Sequence, residues 1–260
     1  MTPVTCEIFG VPVAPVTLGA ALNMIDQAVR SKSRLQIGVV NAAKIVSMQR
    51  NDELRADVLS SDVVFADGMA VVWAARLLGH PLPERVAGID LMIGMLERGN
   101  AAGYRVYCLG AAPDVLQRVV SRIGRDYPGV KVVGSHHGYF NNHEEATVAR
   151  DIADSRPDVL FIAMTSPKKE RFLSKWGREL DVPVCHGVGG SFDVVAGHVR
   201  RAPKMWQRLG LEWLYRVKQE PGRLWKRYLM TNSAFAMMVA SAVVRHQLAR
   251  IRSTARVART

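Results

Sequence analysis

The chain has 260 residues, with 35 Lys and Arg against 23 Asp and Glu, so its formal net charge is +12, and 48% of its residues are apolar. This composition excludes a disordered or collagen-like chain and indicates a globular protein. The length fits one large domain, or one domain with a small appendage. Three widely spaced cysteines, Cys6, Cys108 and Cys185, exclude a disulfide framework and a CxxC zinc site.

Apolar runs alternate with amphipathic stretches through the first 200 residues. Strands are predicted at residues 35–40, 63–66, 104–109, 130–134, 159–164 and 182–188. Helices are predicted at residues 43–59 (at least in part), 69–78, 89–100, 113–127, 143–155 and 168–179. Because several strands are almost entirely apolar, we expect helices to cover both of their faces. The alternation predicts an α/β fold with a mostly parallel sheet.

Candidate functional residues follow the predicted strands, because ligands of parallel α/β sheets bind beyond the carboxyl ends of the strands. Asp67 can act as a base in a cleft, or as a turn residue that caps the next helix. Asn41 follows the first predicted strand. Arg85, in the segment PERVAGID, can hold a phosphate, or can form a surface ion pair with Glu84 or Asp90.

Glycines at two strand ends suit a phosphate-bearing ligand. Gly110 can allow a loop and a helix N-terminus to hold a diphosphate, or can serve only as a turn glycine. In GVGGSFD, Gly189 and Gly190 can admit a nucleotide against the backbone, with Asp193 accepting a hydrogen bond from a ribose hydroxyl or a base. The alternative for this segment is a tight bend at a sheet edge. No GxGxxG or P-loop sequence follows any strand, which argues against a standard dinucleotide enzyme.

No metal centre is predicted. His136, His137 and His186 lack a Cys or acidic partner at ligand spacing and are predicted to be turn or core residues. No DxD pair is present to bind a divalent cation on a nucleotide diphosphate. We therefore expect no cofactor, and we expect positive side chains and helix N-termini to neutralise any bound diphosphate.

Positive charge is concentrated at the C-terminal end. Residues 201–260 contain 13 Lys and Arg but only two acids, Glu212 and Glu220, a net charge of +11, whereas residues 1–200 carry +1. This asymmetry indicates an anionic partner: nucleic acid, anionic lipid or a phosphorylated ligand. The chain contains no helix-turn-helix, KH, RRM or zinc-finger pattern, so no nucleic-acid partner is expected. We divide the chain into a core, residues 1–200, and a basic helical appendage, residues 201–260.

The appendage also has features of a membrane-surface segment. Residues 228–244 are uncharged, but this stretch of 17 residues is short and rich in Ala, Ser and Thr, which disfavours a spanning helix. Three of the five Trp residues are interleaved with Arg and Lys here, as at a membrane–water interface. The alternatives are helices packed on the core with a basic face in water, or an interface with a second subunit. Because no signal-peptide pattern precedes the core, we expect a cytoplasmic protein on the inner face of the membrane.

From about residue 39 to residue 228, the sequence resembles the WecG/TagA/CpsF glycosyltransferases. The segments that carry the resemblance are FADGMAVVWAARLLG, PERVAGIDL, VYCLGAAPDVL, HHGYF, SPKKERFL, GVGGSFDVVAGHVRRAP and LGLEWLYRVKQEPGRLWKRYL. The resemblance implies a Rossmann-like core and a basic appendage that contacts the membrane. It also implies an inverting, metal-independent transfer of a sugar from a UDP-sugar to a polyprenyl-diphosphate-linked acceptor, in the synthesis of cell-surface polysaccharide.

The resemblance further implies roles for individual residues. Asp67 would be the general base, with Asn41 and Arg85 also in the active site. Tyr139 and Asp193 would lie near the uridine. The appendage residues that would close over the diphosphate are Arg216, Arg223 and Arg227.

Two positions depart from the family pattern. Val39 stands where the family usually has Thr, and Lys169 replaces a Gln expected near the sugar. A Lys favours an acidic sugar or an additional phosphate contact, so the sugar stays open among N-acetylmannosamine, its uronic acid, glucose and glucuronic acid. Two other functions also stay open: a Rossmann-type nucleotide-binding oxidoreductase, and a non-catalytic scaffold that binds anionic lipid.

Overall fold

The structure, a computed structural model, describes residues 5–257, and their side chains except at residue 223 and from residue 246 onward. The strands are β1 (Cys6–Ile8), β2 (Val11–Val13), β3 (Leu35–Val40), β4 (Val63–Ala66), β5 (Arg105–Gly110), β6 (Lys131–His136), β7 (Val159–Ala163) and β8 (Val184–Gly187). The core helices are α1 (Leu18–Ser31), α2 (Ala42–Met48), α3 (Asp52–Leu59), α4 (Met69–Leu77), α5 (Gly88–Ala102), α6 (Pro113–Asp126), α7 (Glu145–Asp154), α8 (Lys168–Trp176) and α9 (Ser191–Val195). The appendage helices are α10 (Lys204–Arg208), α11 (Glu212–Gln219) and α12 (Pro221–Val257).

The eight strands form one sheet in the order β1-β2-β4-β3-β8-β7-β5-β6. The β1–β2 pair is antiparallel, and all the other pairs are parallel. The predicted fold class, α/β with a mostly parallel sheet, is therefore confirmed.

Helices cover both faces of the sheet. In β5, Val106 and Cys108 face a core that includes residues of α1, α5 and α6. The alternate residues Tyr107 and Leu109 face a core that includes residues of α7 and α8. A third core joins β3 and β4 to α2, α3 and α4. Burial on both faces explains why the strands are almost continuously apolar rather than alternating.

Four elements of the core were not predicted from the sequence: β1, β2, α1 and α9. Each of the first two strands has three residues, which is too few for a periodic pattern to be recognised. Within residues 43–59, where we predicted helix, the chain forms both α2 and α3. They are separate because Asn51 starts a new helix, with its side chain accepting a hydrogen bond from the N–H of Leu54 at 2.8 Å.

The described part of the appendage is helical, as predicted, and its last helix packs on the core. Phe235 of α12 is buried in the same cluster as Val40 and Ile45. Its ring meets that of Phe9 edge-on, with 5.7 Å between centroids. Within the described residues, no helix combines the length and the apolar character needed to cross a membrane. The boundary at residue 200 stays a prediction.

Candidate active site

The candidate residues of the core gather at the carboxyl end of the sheet. Asn41 follows β3, Asp67 follows β4 and the glycine bend at residues 188–190 follows β8; these strands are neighbours. Gly110 ends β5, which pairs with β7. The chain leaves β3 toward α2 on one face of the sheet and leaves β8 toward α9 on the other. A crevice suited to a ligand forms where neighbouring connections diverge in this way.

Asp67 accepts a hydrogen bond from the backbone N–H of Gly88 at 2.8 Å. Gly88 is the first residue of α5, so the carboxylate lies at the positive end of that helix. The N-cap of α4 is Gly68 rather than Asp67, which contradicts the turn-residue alternative. Burial raises the pKa of Asp67 above its usual range, although the N–H of Gly88 and the guanidinium groups of Arg85 and Arg216 oppose the shift. A raised pKa suits a group that accepts a proton during a reaction.

Asn41 lies beside Asp67 and starts the helix that follows β3. Its Oδ1 accepts a hydrogen bond from the N–H of Lys44 at 3.0 Å. A β-carbon added at Gly68 would lie 3.4 Å from the Cβ of Asn41, so the two strand ends are in contact. Because the cap engages the amide oxygen, the NH₂ group is the part of Asn41 best suited to donate to a ligand.

His186 supports this arrangement from within the sheet. It is fully buried, as predicted for a core histidine, and its Nε2 lies 2.9 Å from the carbonyl oxygen of Gly88. A carbonyl only accepts hydrogen bonds, so Nε2 carries the proton and donates it. Gly88 therefore links His186 to Asp67, with its carbonyl bonded to one and its N–H bonded to the other. Burial lowers the pKa of His186 to about 4, so the ring is neutral at pH 7.

The free energy of unfolding is expected to fall as the pH falls from 6.5 to about 4, because His186 takes up a proton in the unfolded chain but not in the folded protein. The loss from this group approaches about 3 kcal/mol. Urea unfolding across this pH range measures it. The variant His186→Gln, which cannot titrate, should lose less stability, and His80→Gln, at an exposed position, should behave like wild type. An unchanged pH dependence in His186→Gln would contradict the expectation.

Lys169 adds positive charge beside the glycine bend. A β-carbon added at Gly189 would lie 3.4 Å from its Nζ. This Nζ is 3.7 Å from Oε1 of Glu170, which Lys44 contacts at 2.8 Å. Burial lowers the pKa of Lys169 to about 8, with the charge of Lys44 adding to the effect and Glu170 opposing it. Burial alone would raise the pKa of Glu170, but the two lysines outweigh burial and hold it below its usual range.

Gly110 and Tyr139 lie on neighbouring loops. Gly110 has a φ of +118°, and a β-carbon there would lie 2.6 Å from the backbone of β7, so this position requires glycine whether or not a ligand binds. The N–H of Gly138 donates to the carbonyl of Ala111 at 3.0 Å, and Lys168 Nζ donates to the carbonyl of Gly138 at 2.9 Å. These bonds hold Tyr139, whose side chain is largely exposed, beside the Gly110 loop.

The glycine bend after β8 borders the appendage. Gly189 has a φ of +52°, a conformation that glycine adopts without strain. A β-carbon added at Gly190 would lie 3.7 Å from Oδ2 of Asp193 and 4.0 Å from Nη1 of Arg216. The structure therefore brings Arg216 to the bend and close enough to Asp67 to lower the pKa of that carboxyl group.

Arg85 joins the core to the appendage. Its Nη1 donates to Oε2 of Glu212 at 2.6 Å, and its Nη2 donates to Oδ2 of Asp90 at 3.4 Å. Of the two partners considered from the sequence, Asp90 pairs with it, whereas Oε1 of Glu84 accepts a hydrogen bond from the N–H of Leu18 at 2.6 Å. The contact between Arg85 and a substrate phosphate stays a prediction.

The other two arginines that were predicted to close over the diphosphate, Arg223 and Arg227, lie on α12. Arg227 is exposed, and its carbonyl accepts a hydrogen bond from the hydroxyl of Thr231 at 2.9 Å. The side chain of Arg223 lies outside the described part of the chain. Contacts of either residue with a diphosphate stay predictions.

Three residues of this region were not recognised from the sequence: Lys44, Glu170 and Arg201, whose Nη2 lies 2.6 Å from Oδ1 of Asp90. Lys44 and Glu170 are 126 positions apart, so no local motif could have paired them. Glu212 was noted in the sequence only as one of the two acidic residues of the basic appendage. The rarity of acidic residues there was the one sequence feature that could have drawn attention to it.

In the part of the chain that the structure describes, no three His, Cys, Asp or Glu side chains are placed to hold a metal ion.

Comparison with known proteins gives two kinds of match. A family model described as "Glycosyl transferase WecG/TagA/CpsF family" matches residues 6–249. A protein of Bacillus spizizenii strain W23 is 37% identical over 200 residues, covering 77% of this chain and 75% of its own length. A protein of Bacillus subtilis strain 168 is 40% identical over 174 residues, covering 66% of this chain and 67% of its own length. Both are named N-acetylglucosaminyldiphosphoundecaprenol N-acetyl-beta-D-mannosaminyltransferase.

Proposed function

Because the chain belongs to the WecG/TagA/CpsF family of glycosyltransferases, we propose that it transfers a sugar from a UDP-sugar to N-acetylglucosamine carried on undecaprenyl diphosphate. The acceptor is taken from the names of the two relatives. The observation that carries the proposal is the carboxylate of Asp67, held at the N-terminus of α5 in a crevice that also contains Lys169 and Arg216. Membership of a glycosyltransferase family replaces the oxidoreductase and scaffold alternatives.

Asp67 is the group that activates the acceptor. The acceptor hydroxyl lies near Asp67, which takes its proton as the oxygen attacks the anomeric carbon of the donor. The new glycosidic bond forms as the bond to the UDP oxygen breaks, on the opposite face of the sugar, so the anomeric configuration inverts. Asn41, held beside Asp67 by the cap on α2, donates its NH₂ group to the substrate and positions it.

UDP leaves with increasing negative charge, which the crevice must stabilise. Arg216 borders the glycine bend, and its planar guanidinium can meet a phosphate with two hydrogen bonds. Lys169 also borders the bend, and its charge binds the diphosphate of the donor before the reaction begins. Backbone N–H groups near Gly110 and Gly189 supply neutral donors to the departing UDP. We propose that these groups replace a divalent cation, and that the uridine lies toward Tyr139 and Asp193.

The KM for the donor is expected to rise as the pH rises through about 8, because Lys169 then loses the proton that makes it cationic. Steady-state kinetics from pH 6.5 to 9.5 would measure this change in wild type. The variant Lys169→Gln should have a raised KM with no such change. Lys175→Gln, on the same helix but paired with Glu145 at 3.0 Å, serves as the control and should behave like wild type. A wild-type rise that persists in Lys169→Gln would contradict the assignment.

We propose further that the appendage contacts the anionic inner face of the cell membrane, where the acceptor lipid lies. Most of the large apolar side chains that are exposed in the described structure belong to it. They include Met205, Leu209, Leu214, Trp225, Leu229, Met230 and Met237. Apolar side chains beside Lys and Arg suit a surface of lipid headgroups. Binding to anionic but not to neutral vesicles would support this location, whereas self-association without vesicle binding would favour a homo-oligomer.

The proposed reaction is tested by acceptor-dependent UDP release. The purified protein is incubated with a prenyl-diphosphate N-acetylglucosamine analogue and a panel of UDP-sugars, with and without EDTA. We expect release with at least one donor, and no loss when EDTA is added. If EDTA abolishes UDP release, the metal-independent mechanism is contradicted. If none of the donors gives acceptor-dependent UDP release, the proposed function is contradicted.

A further inference from the structure

Four charged side chains form a closed ring beside the crevice. Arg85 Nη1 lies 2.6 Å from one oxygen of Glu212, and the other oxygen of Glu212 lies 3.9 Å from Nε of Arg201. Arg201 Nη2 lies 2.6 Å from one oxygen of Asp90, and the other oxygen of Asp90 lies 3.4 Å from Nη2 of Arg85. Between 12% and 26% of each side chain is exposed, so the ring is partly shielded from water.

The ring joins segments that are far apart in the sequence. Arg85 and Asp90 belong to the core on either side of Gly88, whose N–H bonds Asp67. The backbone N–H of Val86, next to Arg85, donates to the carbonyl that ends β4 at 2.9 Å. The ring is therefore anchored on the core through residues adjacent to the contacts of Asp67.

On the appendage side, the ring holds one face of α11. Glu212 is the first residue of this helix, and Arg216 lies four positions further on. Residues at this spacing project from the same face of a helix, one turn apart. A second link comes from Gln207, which accepts a hydrogen bond from Arg85 Nη2 at 3.3 Å. Holding Glu212 therefore also holds Arg216 toward the glycine bend and Asp67.

We infer that this ring positions Arg216 over the crevice. In this role Asp90 and Arg201 are positioning residues that contact no substrate. The inference rests on the proposed function for its catalytic consequence. Each carboxylate bridges both guanidinium groups. Removing one of the four side chains therefore leaves the charged groups that it contacted unbalanced and partly shielded from water. Loss of one side chain should release α11, and with it Arg216, from its position.

The first test measures amide hydrogen exchange of α11 in the full-length protein without substrate. Exchange in residues 212–219 is expected to be faster in Arg201→Met and in Asp90→Asn than in wild type. The variant Glu97→Gln removes the same charge from an exposed position on the helix that carries Asp90, and should match wild type. Because this test requires no turnover, it examines the ring even if no UDP-sugar proves to be a donor.

The second test measures kinetics with the donor that supports UDP release. We expect Arg201→Met and Asp90→Asn each to lower kcat by about tenfold. If the loss arises because Arg216 is displaced, Arg201→Met should cause no further loss in a protein that already carries Arg216→Met. A merely structural role predicts instead that the two losses multiply. Unchanged exchange in α11, or multiplying losses of kcat, would overturn the inference.

Discussion

Replacing Asp67 with Asn is expected to lower kcat by about three orders of magnitude, the loss typical of removing a general base. The amide oxygen of Asn can still accept the hydrogen bond from Gly88, so the local structure should survive. It cannot take the proton of an attacking hydroxyl. Acceptor-dependent UDP release under saturating substrates measures the loss, and circular dichroism with thermal unfolding checks that the variant is folded.

The pH dependence of kcat gives a second measure of the same role. A base must be ionised to act, so kcat of the wild type should fall as the pH falls through the pKa of Asp67, which burial places above the value of 3.8 for a free side chain. Asp67→Asn should lack this acidic limb. Asp154→Asn, at an exposed position on α7, is the matched control and should keep both the rate and the limb. Turnover of Asp67→Asn near the wild-type rate would refute the assignment of the base.

Replacing Arg216 with Met is expected to lower kcat by about two to three orders of magnitude, equivalent to roughly 2–4 kcal/mol of transition-state stabilisation. The reason is that the guanidinium borders the glycine bend, where the diphosphate is proposed to lie, and the charge on the departing UDP grows during the reaction. Arg216→Lys should recover only part of the rate, because an ammonium group cannot form the paired contacts of the guanidinium. Single-turnover kinetics with saturating donor would measure the chemical step.

Two comparisons make the Arg216 prediction specific. Lys218→Met removes an exposed positive charge two positions along the same helix and should leave kcat unchanged. Arg216→Met should also move the acidic limb of the pH profile upward, because Arg216 lowers the pKa of Asp67. A variant whose KM rises while kcat stays constant would show that Arg216 binds substrate and transition state equally well, which contradicts a role in leaving-group stabilisation.

Whether a feature of the site could be predicted depended on how far apart in the chain the interacting residues lie. Asp67, Asn41 and the glycine bend could be placed at one edge of the sheet because each directly follows an apolar strand. Arg85 could be singled out, but its partner Glu212 is 127 positions away in the chain. The pairing of Lys44 with Glu170 was unpredictable for the same reason.

By itself, the sequence determined the α/β class, most strand positions, the residues at the strand ends and the basic character of the C-terminal segment. These features depend on local periodicity, on turn residues and on charge counts, all of which are readable along the chain. Only the tertiary structure decided that Asp67 sits at the start of α5, that His186 supports it through Gly88, and that four ion-paired side chains tie the appendage to the core. Contacts between distant segments depend on how helices pack against the sheet, and no pattern along a single chain records that packing.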